Sequence, residues 1–276
     1  MHGKGCLTLK NGDKYEGTWS DGVMQPKVVI SYADGKKFEG EIDPQNFMKH
    51  GKGTLTLKNG LPFEGTWIDD VIQPQVTIHY AKGGWYKGTI NQETLLREGG
   101  GFLKISNEDT YDGDFMKEHF EGQGTYRWKN GDFYKGEWKD GKRDGFGVMK
   151  YVKGTEFEGN WNKDKREGEG IIVEENGDII EGEWIKDVLQ TPVEISYVNG
   201  DKYEGEVSKQ SLERDGKGVL TYKNGDVYEG DWRNDKKEGK GILKCRNGFK
   251  CEGNWKNDEM VRKGTKMIEI LADYCI

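Results

Sequence analysis

Basic residues at short, recurring spacing are the strongest chemical signal in this chain. Lys139-Asp-Gly-Lys142-Arg143, Lys163-Asp-Lys165-Arg166 and Asn234-Asp-Lys-Lys-Glu-Gly-Lys-Gly241 each place cations around a turn. Such groups can hold a phosphate by charge and hydrogen bonding, which makes Lys142, Arg143, Lys165 and Arg166 candidate lipid contacts. Acids are interleaved among them, and the whole chain carries 49 Asp and Glu against 42 Lys and Arg, a net charge of −7. A Lys or Arg near an anionic membrane is worth about 1 kcal/mol, and neighbouring carboxylates cancel much of that. Weak or no direct membrane binding is expected, and the same balance argues against nucleic acid as a partner.

Other chemistry is sparse. His2, His50, His79 and His119 are scattered, and no His/Cys cluster has zinc spacing. Gly-Lys-Gly recurs without a Walker-type Gly-x-x-x-x-Gly-Lys-Ser/Thr. The abundant Asp and Glu of the connections read as solvated loop residues. No catalytic, cofactor-binding or metal-ligating set is expected, and hence no enzyme. Cys6, Cys245, Cys251 and Cys275 do not follow the repeat described next, so they are not a disulfide framework. Cys245 and Cys251 flank one turn and are expected to be free thiols. With no N-terminal apolar segment and no run of 18 apolar residues, the expectation is a soluble cytoplasmic protein.

The elements that must position these residues are set by a repeat. Aromatic-x-Gly-x-Trp stands at Tyr15-x-Gly17-x-Trp19, Phe63-x-Gly65-x-Trp67, Tyr134-x-Gly136-x-Trp138, Phe157-x-Gly159-x-Trp161 and Tyr228-x-Gly230-x-Trp232. Looser copies begin at Phe38, Tyr86, Tyr111, Ile180, Tyr203 and Cys251. Anchors recur at intervals of about 23 residues, and a fixed period of that kind marks a repeat architecture in which each unit leans on its neighbours. Within Gly51–Trp67, Thr54-Leu-Thr-Leu-Lys58 alternates with the period of a half-buried strand, Asn59-Gly60 reads as a type I′ hairpin turn, and Pro62–Trp67 returns as a second strand. The expected fold is all-β: an elongated, twisted, single-layer antiparallel sheet of tandem hairpins. The glycine of each anchor lets a neighbouring ring lie flat on the backbone, and the rings supply the burial that aliphatic residues do not.

Tyr-x-Gly-x-Trp, a charged loop with Gly, then Gly-x-Gly and Asn-Gly, resembles the MORN (membrane occupation and recognition nexus) repeat, most closely over Tyr134–Asn176. The resemblance covers almost the whole chain and implies the same hairpin array. It implies function only loosely, because such arrays accompany phosphoinositide kinases, lysine methyltransferases, junctional membrane proteins, radial-spoke heads and protist cytoskeletal scaffolds.

A longer period is superposed. Anchors at Phe38, Tyr86 and Tyr203 lack the Trp, having Ile42, Ile90 and Val207 instead, and the next anchors, Phe63, Tyr111 and Tyr228, each come two positions late. The preceding unit carries Gln25-Pro26, Gln73-Pro74 or Gln190-Thr191-Pro192 in place of Gly-x-Gly, so the pair makes a 48-residue superunit. The longer connections begin with Asp43, Asn91 and Ser208, suited to cap one helical turn. That turn would carry Phe47, Met48, Leu95, Leu96 and Leu212 either over the sheet, where Trp is missing, or outward as a spaced row of partner contacts. Residues 1–262 thus read as about eleven repeats starting in mid-repeat, and 263–276 as a C-terminal segment. Met267, Ile270, Leu271 and Tyr274 in that segment form either a cap or a contact with a partner or a second copy. The expected function is a scaffold joining other proteins in a cytoskeletal or axonemal assembly of the radial-spoke kind. The alternatives are a phosphoinositide-binding tether or the targeting region of a larger enzyme.

Overall fold

The computed structural model of the protein describes residues 2–261, and every regular element among them is a β-strand. The chain divides into two compact units, Met1–Lys142 and Arg143–Ile276. The first carries β1 (Gly3–Thr8), β2 (Lys14–Ser20), β3 (Val23–Ser31), β4 (Lys37–Ile42), β5 (Lys49–Thr56) and β6 (Pro62–Ile68). It continues through β7 (Val71–His79), β8 (Trp85–Ile90), β9 (Arg97–Lys104), β10 (Thr110–Met116), β11 (His119–Arg127) and β12 (Phe133–Lys139). From the boundary onward run β13 (Lys142–Lys150), β14 (Glu156–Asn162), β15 (Lys165–Val173), β16 (Ile179–Ile185), β17 (Val188–Leu189) and β18 (Val193–Ser196). The second unit ends with β19 (Lys202–Val207), β20 (Arg214–Thr221), β21 (Val227–Arg233), β22 (Lys236–Lys244), β23 (Lys250–Lys256) and β24 (Glu259–Val261).

Within each unit successive strands pair antiparallel, the meander expected of tandem hairpins. The short β17 and β18 share β16 as their partner. The glycines set the register. Gly124 faces Gly113 and Gly136, and Gly170 faces Gly159 and Gly182. The ring of Tyr228 lies over the Gly230–Gly241 pair, where an added Cβ would collide with it. In two of the full copies the ring sits edge-on between the Trp of its own strand and the Trp of the next repeat. Phe157 lies 5.3 Å from Trp161 and 5.4 Å from Trp184; Tyr228 lies 5.1 Å from Trp232 and 5.2 Å from Trp255. Except for the half-buried Tyr15, the aromatic anchors named above are buried. The indole N–H of Trp138, Trp161 and Trp255 donates to the carbonyl of Gly124, Gly147 and Gly241, so the buried donor is satisfied.

Where Gly-x-Gly is replaced, aliphatic residues take over. Val28 faces Gly17 and Val76 faces Gly65, and both are buried with Met24 and Ile72. Ile42, Ile90 and Val207 are buried at the positions of the missing tryptophans. In the second unit the extra Thr191 beside Pro192, which has no N–H to give, separates β17 from β18, whereas Gln-Pro lies inside the continuous β3 and β7.

The turn chemistry differs from expectation. At Asn11-Gly12 only the glycine has positive φ, 91°. Gly12 N–H donates to Leu9 O at 3.0 Å, and Leu9 N–H to Asp13 O at 2.9 Å. This is a type I turn closed by a left-handed glycine, not type I′. The type I′ geometry lies at the opposite strand ends, just after the tryptophans, on pairs such as Asp69-Asp70 (47°, 69°) and Lys163-Asp164 (49°, 72°). Asp or Asn at the second place of most pairs makes that backbone tolerable.

At the Asn-Gly end, a following aspartate ties adjacent tips together. Asp13 Oδ1 accepts Ala33 N–H, and Asp178, Asp201 and Asp226 accept the amides of Val198, Lys223 and Arg246. Asp109, only 6% exposed, accepts from Lys129 N–H, the Tyr126 hydroxyl and Asn107. Burial pushes its carboxyl up, but these three donors outweigh burial and hold it below the usual value.

Candidate functional site

The basic residues singled out for phosphate binding take part in a second tie at the other end of the strands. Arg143 lies at the start of β13, and its guanidinium lies 4.1 Å above the Trp161 ring while Nε donates to Asp164 Oδ1 at 3.1 Å. Arg143 N–H donates to the same carboxylate oxygen, and Asp164 N–H returns a bond to Arg143 O at 2.9 Å. The arrangement recurs with Arg166, 3.9 Å over Trp184 and bonded to Asp187, and with Arg214, 4.1 Å over Trp232 and bonded to Asp235. Lys49 with Trp67 and Asp70, Arg97 with Phe115 and Glu118, and Lys237 with Trp255 and Asp258 are variants. At the corresponding place in β11, Phe120 stacks on Tyr111 at 3.8 Å and meets Trp138 edge-on at 5.3 Å, a ring standing where the others have a cation.

Each clasp joins one repeat to the next. Its members are the cation two places before the first Gly, the Trp of the following anchor, and the acid three places beyond that Trp. The acid beside the cation also has a role: Asp144, Glu167 and Glu238 accept the amides of Lys163, Lys186 and Asn257, at the start of the next type I′ turn. These carboxylates are structural, not the merely solvated loop groups that composition suggests. The Lys/Arg-Asp/Glu-Gly spacing in the sequence was the signal that could have exposed them. Of the four candidate lipid contacts, Arg143 and Arg166 are therefore held between ring and carboxylate, while Lys142 and Lys165 are exposed.

The candidate partner row also divides. Each long connection is one closed turn: Phe47, Leu95 and Leu212 N–H donate to the carbonyls of Asp43, Asn91 and Ser208. Asp43 Oδ1, Asn91 Oδ1 and Ser208 Oγ cap it by accepting amides inside the turn. The fifth residue adopts a left-handed backbone, φ 64°, 61° and 61° for Phe47, Leu95 and Leu212, and is half-buried. Phe47 meets Tyr15 edge-on at 6.0 Å, Leu95 borders a hollow of about 600 Å³ with Trp67 and Ile72, and Leu212 lines another with Ile180 and Ile195. Met48 and Leu96, one residue on, are exposed. The five do not form one exposed row. The reversal of the backbone folds three of them over the sheet and leaves two outside.

Met267, Ile270, Leu271 and Tyr274 lie outside the described residues, as does any contact through them. Cys245 is disulfide-bonded, which corrects the expected free thiol; the absence of a repeating cysteine pattern excludes a framework but not a single bond. Cys251 is buried. Among the described residues, no group of three or more His, Cys, Asp or Glu could hold a metal ion.

The MORN repeat sequence pattern matches residues 1–14, 15–25, 48–61, 111–133, 134–156, 157–179, 213–227, 228–250 and 251–267. No curated protein matches the chain. Among solved structures, the TCP10 domain of Danio rerio CPAP is 14% identical, with 91% of this chain and 100% of that chain covered and a TM-score of 0.36. The SAS-4 (dCPAP) TCP domain of Drosophila melanogaster, solved with a proline-rich motif of Ana2 (dSTIL), is 16% identical, covering 74% and 90%, with a TM-score of 0.32. Virginiamycin B lyase of Staphylococcus aureus is 11% identical, covering 92% and 84%, with a TM-score of 0.15. Likenesses of this size carry no argument about function.

Proposed function

This chain belongs to the MORN-repeat family, and on that premise we propose that it acts as a non-enzymatic scaffold, an array joining proteins in a cytoskeletal or axonemal assembly of the radial-spoke kind. MORN-repeat proteins are protein-interaction or membrane-associated repeat proteins, and the two roles differ in which surface groups must be free. The observation that supports the scaffold reading is the clasp. Arg143 and Arg166 are laid on Trp161 and Trp184 and bonded to Asp164 and Asp187. A guanidinium laid on a ring and bonded to a carboxylate has its charge partly offset and fewer N–H groups to offer a phosphate. Of the four candidates, Lys142 and Lys165 remain exposed, and the carboxylates interleaved with them and with the other lysines of these turns offset their charge. A cytoplasmic site fits this reading.

Two measurements test it together. Sedimentation at physiological salt with vesicles containing phosphoinositides should leave the chain in the supernatant. Purification of the tagged chain from its source cell should recover a stoichiometric, salt-resistant set of proteins. Pelleting that is abolished by Lys142→Glu with Lys165→Glu would establish the membrane-tether role instead.

A further inference from the structure

The face of the sheet opposite the rings carries an unusual run of carboxylates in the second unit. Alternate residues of successive strands lie directly opposite one another there: Glu158 faces Ile171, Ile171 faces Glu181, Glu181 faces Glu194, and Glu194 faces Glu204. In the adjoining row Glu169 faces Glu183. Like charges directly opposite across strands are unfavourable, and here they follow one another over β16, β18 and β19. None of these six glutamate side chains makes a hydrogen bond or ion pair among the described residues. Other acids of the same face are paired with lysines: Lys150 with Glu156 and Lys244 with Glu229, both at 3.1 Å.

The acids line an open groove of about 590 Å³, with the backbones of Gly159, Gly170 and Gly182 among its lining residues. Among the described residues, no Lys or Arg lines it. Apolar side chains do, among them Phe146 and Ile171, 49% and 36% exposed, beside Pro192 and the buried Val193. A groove that is uniformly anionic and also presents a half-exposed ring suits neither a simple metal ion, which has no use for the ring, nor an anionic lipid.

We propose that this face, from β13 to β19, binds an extended Lys/Arg-rich segment of a partner protein. Its cations lie across the glutamate rows, and an apolar side chain rests against Phe146 and Ile171. The segment relieves the repulsion that the free sheet sustains, so the groove's own instability favours occupancy. This inference rests on the scaffold reading and names a surface for it and the chemistry of one partner.

The test uses the purified full chain and a labelled 12-residue peptide alternating Lys or Arg with Leu, read by fluorescence anisotropy, with a Glu-for-Lys/Arg peptide as control. The basic peptide should bind and the acidic one should not. Glu181→Gln with Glu194→Gln and Glu204→Gln should weaken binding at least tenfold while raising the melting temperature, because the opposed charges are gone. Phe146→Ser should weaken binding severalfold, and raised salt should weaken it further. Glu229→Gln with Glu252→Gln, on the same face but outside the groove, should leave it unchanged. Binding as tight in the triple variant as in the native chain would overturn the proposal. So would a groove that millimolar Ca²⁺ alone saturates with no dependence on Phe146. If the peptide fails to bind while partners still co-purify with the chain, the groove assignment falls and the scaffold stands. If the peptide binds and no partners are recovered, the scaffold reading falls instead.

Discussion

Arg166 rests 3.9 Å from the centre of the Trp184 ring, while Lys165 beside it is exposed. Their type and position in sequence are nearly the same, but β15 is a strand, so neighbours point to opposite faces. The consequence is measurable. Arg166→Ala removes a ring contact and a carboxylate bond and should cost about 1–2 kcal/mol in urea unfolding. Lys165→Ala should stay within about 0.5 kcal/mol. Equal effects would mean that the clasp adds nothing to stability. Glycines divide in the same way. Gly241→Ala would put a methyl group into the Tyr228 ring and should cost about 1–3 kcal/mol. Gly100, whose added Cβ would meet only the edge of Asp114, should accept Ala within about 0.5 kcal/mol.

At the scale of the element, two sets of ties hold neighbouring repeats together within each unit, one at each end of the strands. Asp109 is among the most buried of the Asn-Gly-end set. Its folded pKa lies below its unfolded value, near 3.9. Its stabilisation is therefore present above that value and is lost as pH falls through the lower folded one. Hydrogen-exchange protection of the Lys129 amide should fall over that acid range in the native chain, and Asp109→Asn should flatten the dependence. The long turns give a second contrast. Leu95→Ser should destabilise by roughly 1–3 kcal/mol, because Leu95 is half-buried at the hollow that Trp67 and Ile72 also line, whereas Leu96→Ser should stay within about 0.5 kcal/mol. A neutral Leu95→Ser would return that residue to the list of free partner contacts.

At the scale of the whole molecule, contacts within each unit run between strands of the same or neighbouring repeats, so damage should stay local. Trp161→Ala removes a ring that touches Phe157 and Arg143 and should cost about 3–5 kcal/mol. Protection should be lost over β13 to β16 and retained in β21 to β23. All-or-none loss throughout the chain would show coupling beyond neighbours.

The repeat was legible because its signals are local: alternation along a strand, Asn-Gly between strands, and a ring two residues before a glycine. Those fix hairpins, their number and the packing face without any knowledge of distant contacts. The type I′ turn was assigned to the wrong end because Asn-Gly suits both a type I′ turn and a type I turn closed by glycine. Which one forms depends on how the flanking strands pair. The role of Arg143, Arg166 and their acids was hidden for a stronger reason. The partners of Arg143, Trp161 and Asp164, belong to the next repeat, and only the β13–β14 register, with Gly145 opposite Trp161, and the bulge before Trp161 in the β14–β15 pairing bring them together. Likewise the chain's charges look evenly mixed when read in order, yet the antiparallel register gathers Glu181, Glu194 and Glu204 from three strands side by side. Sequence determined which residues each strand presents. Tertiary pairing decided which of them meet, because the energies of cation, ring and carboxylate depend on a few ångströms of separation that sequence distance does not encode.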